Sequence, residues 1–182
     1  MRFTRDKRGG GVKADVDAFE ADVLASLAQQ LLGLVEPADH GSDDPLAALV
    51  GLPAGDVDRP DDPVLQRLLP DAYRDDDDAS GDFRRYTDSD LRTTKRAHAT
   101  LVLETVPAEG GKLVLDRDQC DAWLGSLNDM RLALGTALGV TEEMDTDDLD
   151  DEDPAYQALQ VYGWLGWLQE SLLSCLEPRL PS

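Results

Sequence analysis

The sequence predicts a mainly α-helical fold, a helical bundle with a small N-terminal β-hairpin and one further short strand. Three observations carry this. Apolar residues recur at helical spacing in four long segments, which begin near Asp17, Asp88, Asp116 and Pro154. Each segment opens on side chains suited to capping a helix. Short extended runs flank glycines at two places, Gly9-Gly10-Gly11 and Gly110-Gly111. At 182 residues the chain suits a single domain spanning 1–182 and is long enough to bury a core.

In chain order, Phe3-Thr4-Arg5 and Val12-Lys13-Ala14 form the hairpin. Asp17 and Glu20 then make a capping box ahead of Phe19, Val23, Leu27, Leu31 and Leu34, which share one face of a helix over about 16–36. Residues 37–63 are rich in Asp, Gly and Pro and read as a connector holding one short helix at Leu46–Val50, with Asp39–Asp44 and Gly55–Asp62 expected to be mobile. Asp62-Pro63 starts a short helix that Pro70 ends. Asp75–Tyr86 reads as helical, weakened by Ser80-Gly81, and Thr87 with Asp90 starts a second helix from Asp88 to about Val106. Lys112–Leu115 is a strand able to join the hairpin, and Asp116 with Gln119 caps the next helix.

The second acidic connector covers 140–153, where Glu142–Asp153 has nine acids in twelve positions. Asp153-Pro154 opens the last helix, which ends at Glu177-Pro178. Leu159, Tyr162, Leu165, Leu172 and Leu176 share one of its faces, and Val161, Trp164, Trp167 and Leu168 widen that face greatly. A helix apolar on most sides is buried or paired. Trp164, Trp167 and Leu168 are therefore the candidate oligomer face, compatible with a symmetric homodimer. Gly163 and Gly166 are expected to allow a close helix approach.

The stretch WLGSLNDMRLALGTALGV, Trp123 to Val140, places Arg131 inside an apolar arc of Trp123, Leu124, Leu127, Met130, Leu134 and Leu138. A guanidinium keeps its charge, so a buried Arg131 needs a carboxylate or several carbonyls. Arg131→Ala is expected to destabilise the fold. Asp129 points away from the arc and is expected to be exposed, or paired across to Arg84 or Lys95. Asn128 lies at the arc's edge, where its amide can bond a crossing backbone.

The combination PDAYRDDDDASGDFRRYT (70–87), DLRTTK (90–95) and WLGSLNDMRLALGT (123–136) resembles the actinobacterial domain-of-unknown-function family numbered two thousand and seventeen. The resemblance covers nearly the whole chain. It implies a cytoplasmic protein without an established activity. Genes resembling it often neighbour those of a Clp-protease adaptor and a metal-dependent isopeptidase-like protein, and some members carry a transcriptional-regulator label. Clp-system components are thus among the partners the resemblance implies.

Charge bounds the function. The net charge is −21, with 29 Asp and 9 Glu against 17 Lys and Arg. Such a chain is repelled by phosphate backbones and anionic membrane surfaces. No apolar run approaches the ~20 residues of a membrane span, and the start has no apolar core of a secretory signal. Cys120 and Cys175 read as core thiols. The opening of a calcium loop at Asp76-x-Asp78-x-Ser80-Gly81 has Thr87 where a bidentate Glu should stand, so no metal site is assigned. His40 and His98 are isolated, no catalytic motif occurs, and no cofactor or catalytic residue is assigned.

Basic residues gather at Arg84, Arg85, Arg92, Lys95 and Arg96, and two readings stay open. On the first, the cluster pairs internally, with Asp75–Asp78 and Asp88, or with Arg131 and one of Arg84 and Arg85 knitting helices; this is the commoner fate of charge clusters. Alternatively it is a working surface that captures an acidic peptide or other anion. Arg92→Glu is expected to leave melting nearly unchanged. The expected function is a regulatory or adaptor-like protein-interaction module without catalysis. The alternative is a DNA-binding transcriptional regulator using 75–86 and 88–106 as a helix-turn-helix. Charge repulsion and the lack of a helix rich in base-reading residues disfavour it.

Overall fold

Helix caps and glycine turns set most of the element boundaries. The computed structural model describes residues 1–6, 10–36, 60–70, 77–141 and 153–177, with the backbone alone over 77–86. Strand β1 (Thr4–Arg5) and β2 (Val12–Val16) form the hairpin, followed by α1 (Ala18–Leu34), α2 (Pro63–Leu68), α3 (Asp77–Thr105), β3 (Gly111–Leu115), α4 (Arg117–Ala137) and α5 (Pro154–Leu176). The expected short helix at Leu46–Val50, the stretch Asp39–Asp44, most of Gly55–Asp62 and residues 142–152 lie outside the described residues.

Full reciprocal capping boxes open α1 (Asp17 with Glu20) and α4 (Asp116 with Gln119). Asp62 and Asp153 cap α2 and α5, each with proline in the first turn. The sheet is antiparallel in the order β1-β2-β3, with Thr4 opposite Lys13 and Lys13 opposite Val114. Alternation sends Val12, Ala14, Val16, Leu113 and Leu115 into the core, while Lys13, Asp15, Lys112 and Val114 face out. Gly110 (φ 77°) makes the turn into β3, and a Cβ there would lie 2.9 Å from both Ala18 N and Val16 O.

The two helices expected around Thr87 are one. Helix α3 runs unbroken for 29 residues, about 43 Å at 1.5 Å per residue. No proline or glycine interrupts 82–106, and the Asp88 carboxylate engages Arg92 one turn on instead of capping a new start. A helix-turn-helix of 75–86 and 88–106 is therefore excluded, as is a calcium loop over residues 77–87.

Helix α4 is the axis of the bundle and packs against each of the four other helices among the described residues. Trp123, at its centre and fully buried, donates Nε1–H to Thr105 Oγ1 at 2.9 Å and meets Phe3 edge-on, with centroids 5.9 Å apart. One indole thus ties hairpin, α3 and α4 together. The close helix approaches lie on α4 and not on α5. A Cβ on Gly125 would sit 2.5 Å from His98 Nδ1, and one on Gly135 would sit 2.8 Å from Tyr162 Cε2. Gly163 has open space, and Gly166 meets Arg131 only at ordinary contact distance.

Candidate functional site

Three basic residues of α3, Arg92, Lys95 and Arg96, are drawn into the fold. Arg92, 8% exposed, bonds Asp88 Oδ2 through Nε at 2.6 Å and donates Nη1–H to the Glu36 carbonyl at 2.8 Å. Arg96 donates to the Leu32 carbonyl at 3.3 Å. Helix α1 has no basic residue in its own last turn, so these two guanidiniums supply the positive charge its carbonyl end favours. Arg92 is consequently a buried structural residue, not an exposed one, and the expectation that Arg92→Glu leaves melting unchanged is withdrawn. Arg84 and Arg85 lie on the backbone of α3, and their side chains are outside the described residues.

Asp129 is buried at 3% exposure, against the expectation of an exposed carboxylate, because α3 covers that side of α4. Of the two partners expected for it, the structure gives Lys95, whose Nζ donates to Oδ1 at 2.6 Å. Arg131 departs from expectation differently. It is half-buried, and its guanidinium lies 5.2 Å over the Tyr162 ring of α5, an aromatic face in place of a carboxylate. Gly135 lets that ring sit close to α4. Arg131 and Asn128 share a cleft of about 550 Å³ with Arg67 and Tyr162.

Helix α5 divides its apolar surface. Leu165, Leu168 and Leu172 are fully buried, so Leu168 leaves the candidate oligomer face and belongs to the chain's own core. Trp167 is 44% exposed and lines a cleft of about 570 Å³ with Arg2, Arg5 and Cys175. Arg5 donates Nε–H to the Cys175 carbonyl at 2.6 Å and Nη2–H to the Glu177 carbonyl, which caps α5 as α3 caps α1. Burial pushes the Cys175 thiol up, with Arg5 and Arg2 pulling it back in part. Burial, helped by Asp121 and Asp116, pushes Cys120 from 9.0 up to about 11. Both thiols are free.

Trp164 lines a larger groove that the sequence did not disclose. Helices α1 and α5 flank α4 without packing on one another along their lengths. Between their N-terminal parts lies a groove of about 800 Å³ walled by Val23, Tyr156, Ala158, Val161 and Trp164. Phe19, expected in the core face of α1, stands on this groove at 74% exposure. It falls in the first turn of α1, where no other described element covers it. The signal available in sequence was the excess width of the apolar face on α5.

Among the described residues no cluster of three His, Cys, Asp or Glu side chains can hold a metal ion, and no helix is long and apolar enough to cross a membrane. The family model described as Domain of unknown function (DUF2017) matches residues 1–176. The chain belongs to this family. Its relatives include the oxidative stress regulator AosR of Mycobacterium tuberculosis (strain H37Rv), 36% identical over 187 residues that cover 95% of this chain and 84% of that protein. The AosR of Mycobacterium bovis matches to the same extent. The putative oxidative stress regulator AosR of Mycobacterium leprae is 32% identical over 182 residues, 92% of this chain and 83% of that one. These family members are named as regulators. No solved structure matches the chain.

Proposed function

We propose that this DUF2017 member is a regulator in an oxidative-stress response that works by binding another protein, without catalysis of its own. The carrying observation is the pairing of an exposed aromatic groove between α1 and α5 with the commitment of Arg92, Lys95 and Arg96 inside the fold. Exposed apolar patches of this kind mark interaction surfaces. The mycobacterial relatives' names support the regulatory half of the reading. A direct DNA-binding role is disfavoured by the unbroken α3 and by the charge of −21.

The cysteines favour a place downstream of oxidant sensing. Peroxide attacks the thiolate, and a thiol pushed to about 11 inside a fully buried site presents almost none at neutral pH. The proposal is tested in a deletion strain challenged with peroxide, with crosslinked co-purification of the tagged chain read by mass spectrometry. Clp-system components are one partner class to look for. Wild type and the Cys120→Ser/Cys175→Ser variant should both restore tolerance and recover the same partner. Specific promoter binding without a protein partner would overturn the reading.

A further inference from the structure

We propose that the α1–α5 groove docks an amphipathic helix of the partner protein, one carrying Lys or Arg beside its apolar face. This inference rests on the protein-binding reading above and assigns its surface and the chemistry of its partner. The groove has the form of a helix receptor. Two helices make its walls, Val23, Val161 and Trp164 supply apolar sides, and Phe19 stands at the rim with most of its ring in water. Pro154 and Trp164 stand ten steps apart along α5, about 15 Å, which matches two to three turns of an occupant. Apolar anchors at i, i+3/i+4 and i+7 fit such a trough.

Charge selects the occupant. The charged side chains lining the groove are the carboxylates Asp17 and Glu20, the latter paired with the Met1 ammonium, and among the described residues no basic side chain lines it. Asp153, the N-cap of α5, places a further carboxylate next to Pro154, the residue that starts its α5 wall. A second copy of this chain would bring another −21 to the same place, whereas a basic helix gains attraction while burying its apolar stripe. The direction of recognition is thus opposite to the one suggested by the α3 cluster in sequence: Arg92, Lys95 and Arg96 are committed inside the fold, and the positive charge comes from the partner.

The test uses the full chain and two synthetic helical peptides of roughly four turns. They share one Leu/Phe stripe; one carries Lys and Arg on its flanks and the other Glu. Binding is followed by calorimetry and tryptophan emission. The basic peptide should bind at least about tenfold more tightly than the acidic one. Phe19→Ala and Ala158→Glu should each alter that affinity, the first weakening it at least about tenfold, with melting temperatures unchanged. Equal binding of both peptides, wild-type affinity in both variants, or no binding by either peptide would overturn the assignment. So would sedimentation showing a wild-type dimer that Phe19→Ala dissolves, since a second copy would then fill the groove. If the peptides fail while the chain still recovers a partner from its host, the groove assignment falls and the protein-binding reading stands. If no partner is recovered either, both fall.

Discussion

Lys95→Met isolates the polar tie between α3 and α4. Methionine keeps most of the lysine's stem and removes the ammonium that bonds Asp129 at 2.6 Å. The carboxylate left behind has a side chain only 5% exposed, while the lysine side chain is 16% exposed. Breaking a fully buried pair costs about 3–5 kcal/mol and an exposed one less than about 1 kcal/mol. This pair lies nearer the buried limit, so the expected loss is about 2–3 kcal/mol. For a chain of this length that lowers the melting temperature by about 5–10 °C. Thermal unfolding followed by circular dichroism measures it, with Asp129→Asn alongside. Lys95→Met/Asp129→Leu should recover much of the loss, because it leaves no stranded charge. A Lys95→Met melt within about 1 °C of wild type would show that water solvates Asp129, and would refute the tie.

Arg92→Glu should destabilise by about 2–3 kcal/mol in denaturant titration, because it strands the Glu36 carbonyl and sets a second carboxylate against Asp88. Gly125→Ala and Gly135→Ala should each cost about 1–3 kcal/mol through crowding of His98 and Tyr162, while Gly163→Ala, with open space around it, should gain up to about 1 kcal/mol of helix propensity. Stability should also fall in alkali. Below pH 9.0 Cys120 is a thiol in both states; between 9.0 and about 11 the unfolded chain loses its proton first, so unfolding is favoured as pH rises. The loss, about 2 kcal/mol by the upper end, is read as the difference between wild-type and Cys120→Ala melts across that range.

The elements whose signals are local were legible. Asp17 with Glu20, Asp116 with Gln119, and the Asp-Pro pairs at 62–63 and 153–154 each place a cap from a few neighbouring residues, and the helices start where those caps stand. Thr87 misled because a capping pattern describes a helix start only when the preceding backbone is not already helical; here α3 arrives from upstream and continues. Asp129 misled because a helical wheel knows one apolar arc, and α4 is covered on several sides. Of the candidate site residues, Asp129 takes Lys95, one of the two alternative partners expected for it, and Asn128 and Arg131 line one cleft, a juxtaposition the sequence did not indicate. The α1–α5 groove left one trace in sequence, the excess width of the apolar face on α5; its location depends on which helices pack closely and was not legible.

The placement of the cations explains how so acidic a chain comes to present the surface it does. Neither α1 nor α5 has a basic residue in its last turn, yet both ends are met by arginine from elsewhere: Arg92 and Arg96 on α1, Arg5 on α5. Lys95 answers a carboxylate inside α4. Each of these bonds joins elements distant in sequence, so the scarce positive charge contributes most where it fixes the packing of helices on one another. Placing cations in this way leaves fewer of the 17 Lys and Arg to offset the chain's 38 acids elsewhere. The same economy that holds α1 and α5 against the bundle therefore leaves an apolar trough in a negative field between them. On the proposed reading such a field disfavours nucleic acid and a second copy of the chain alike, and favours a basic amphipathic helix.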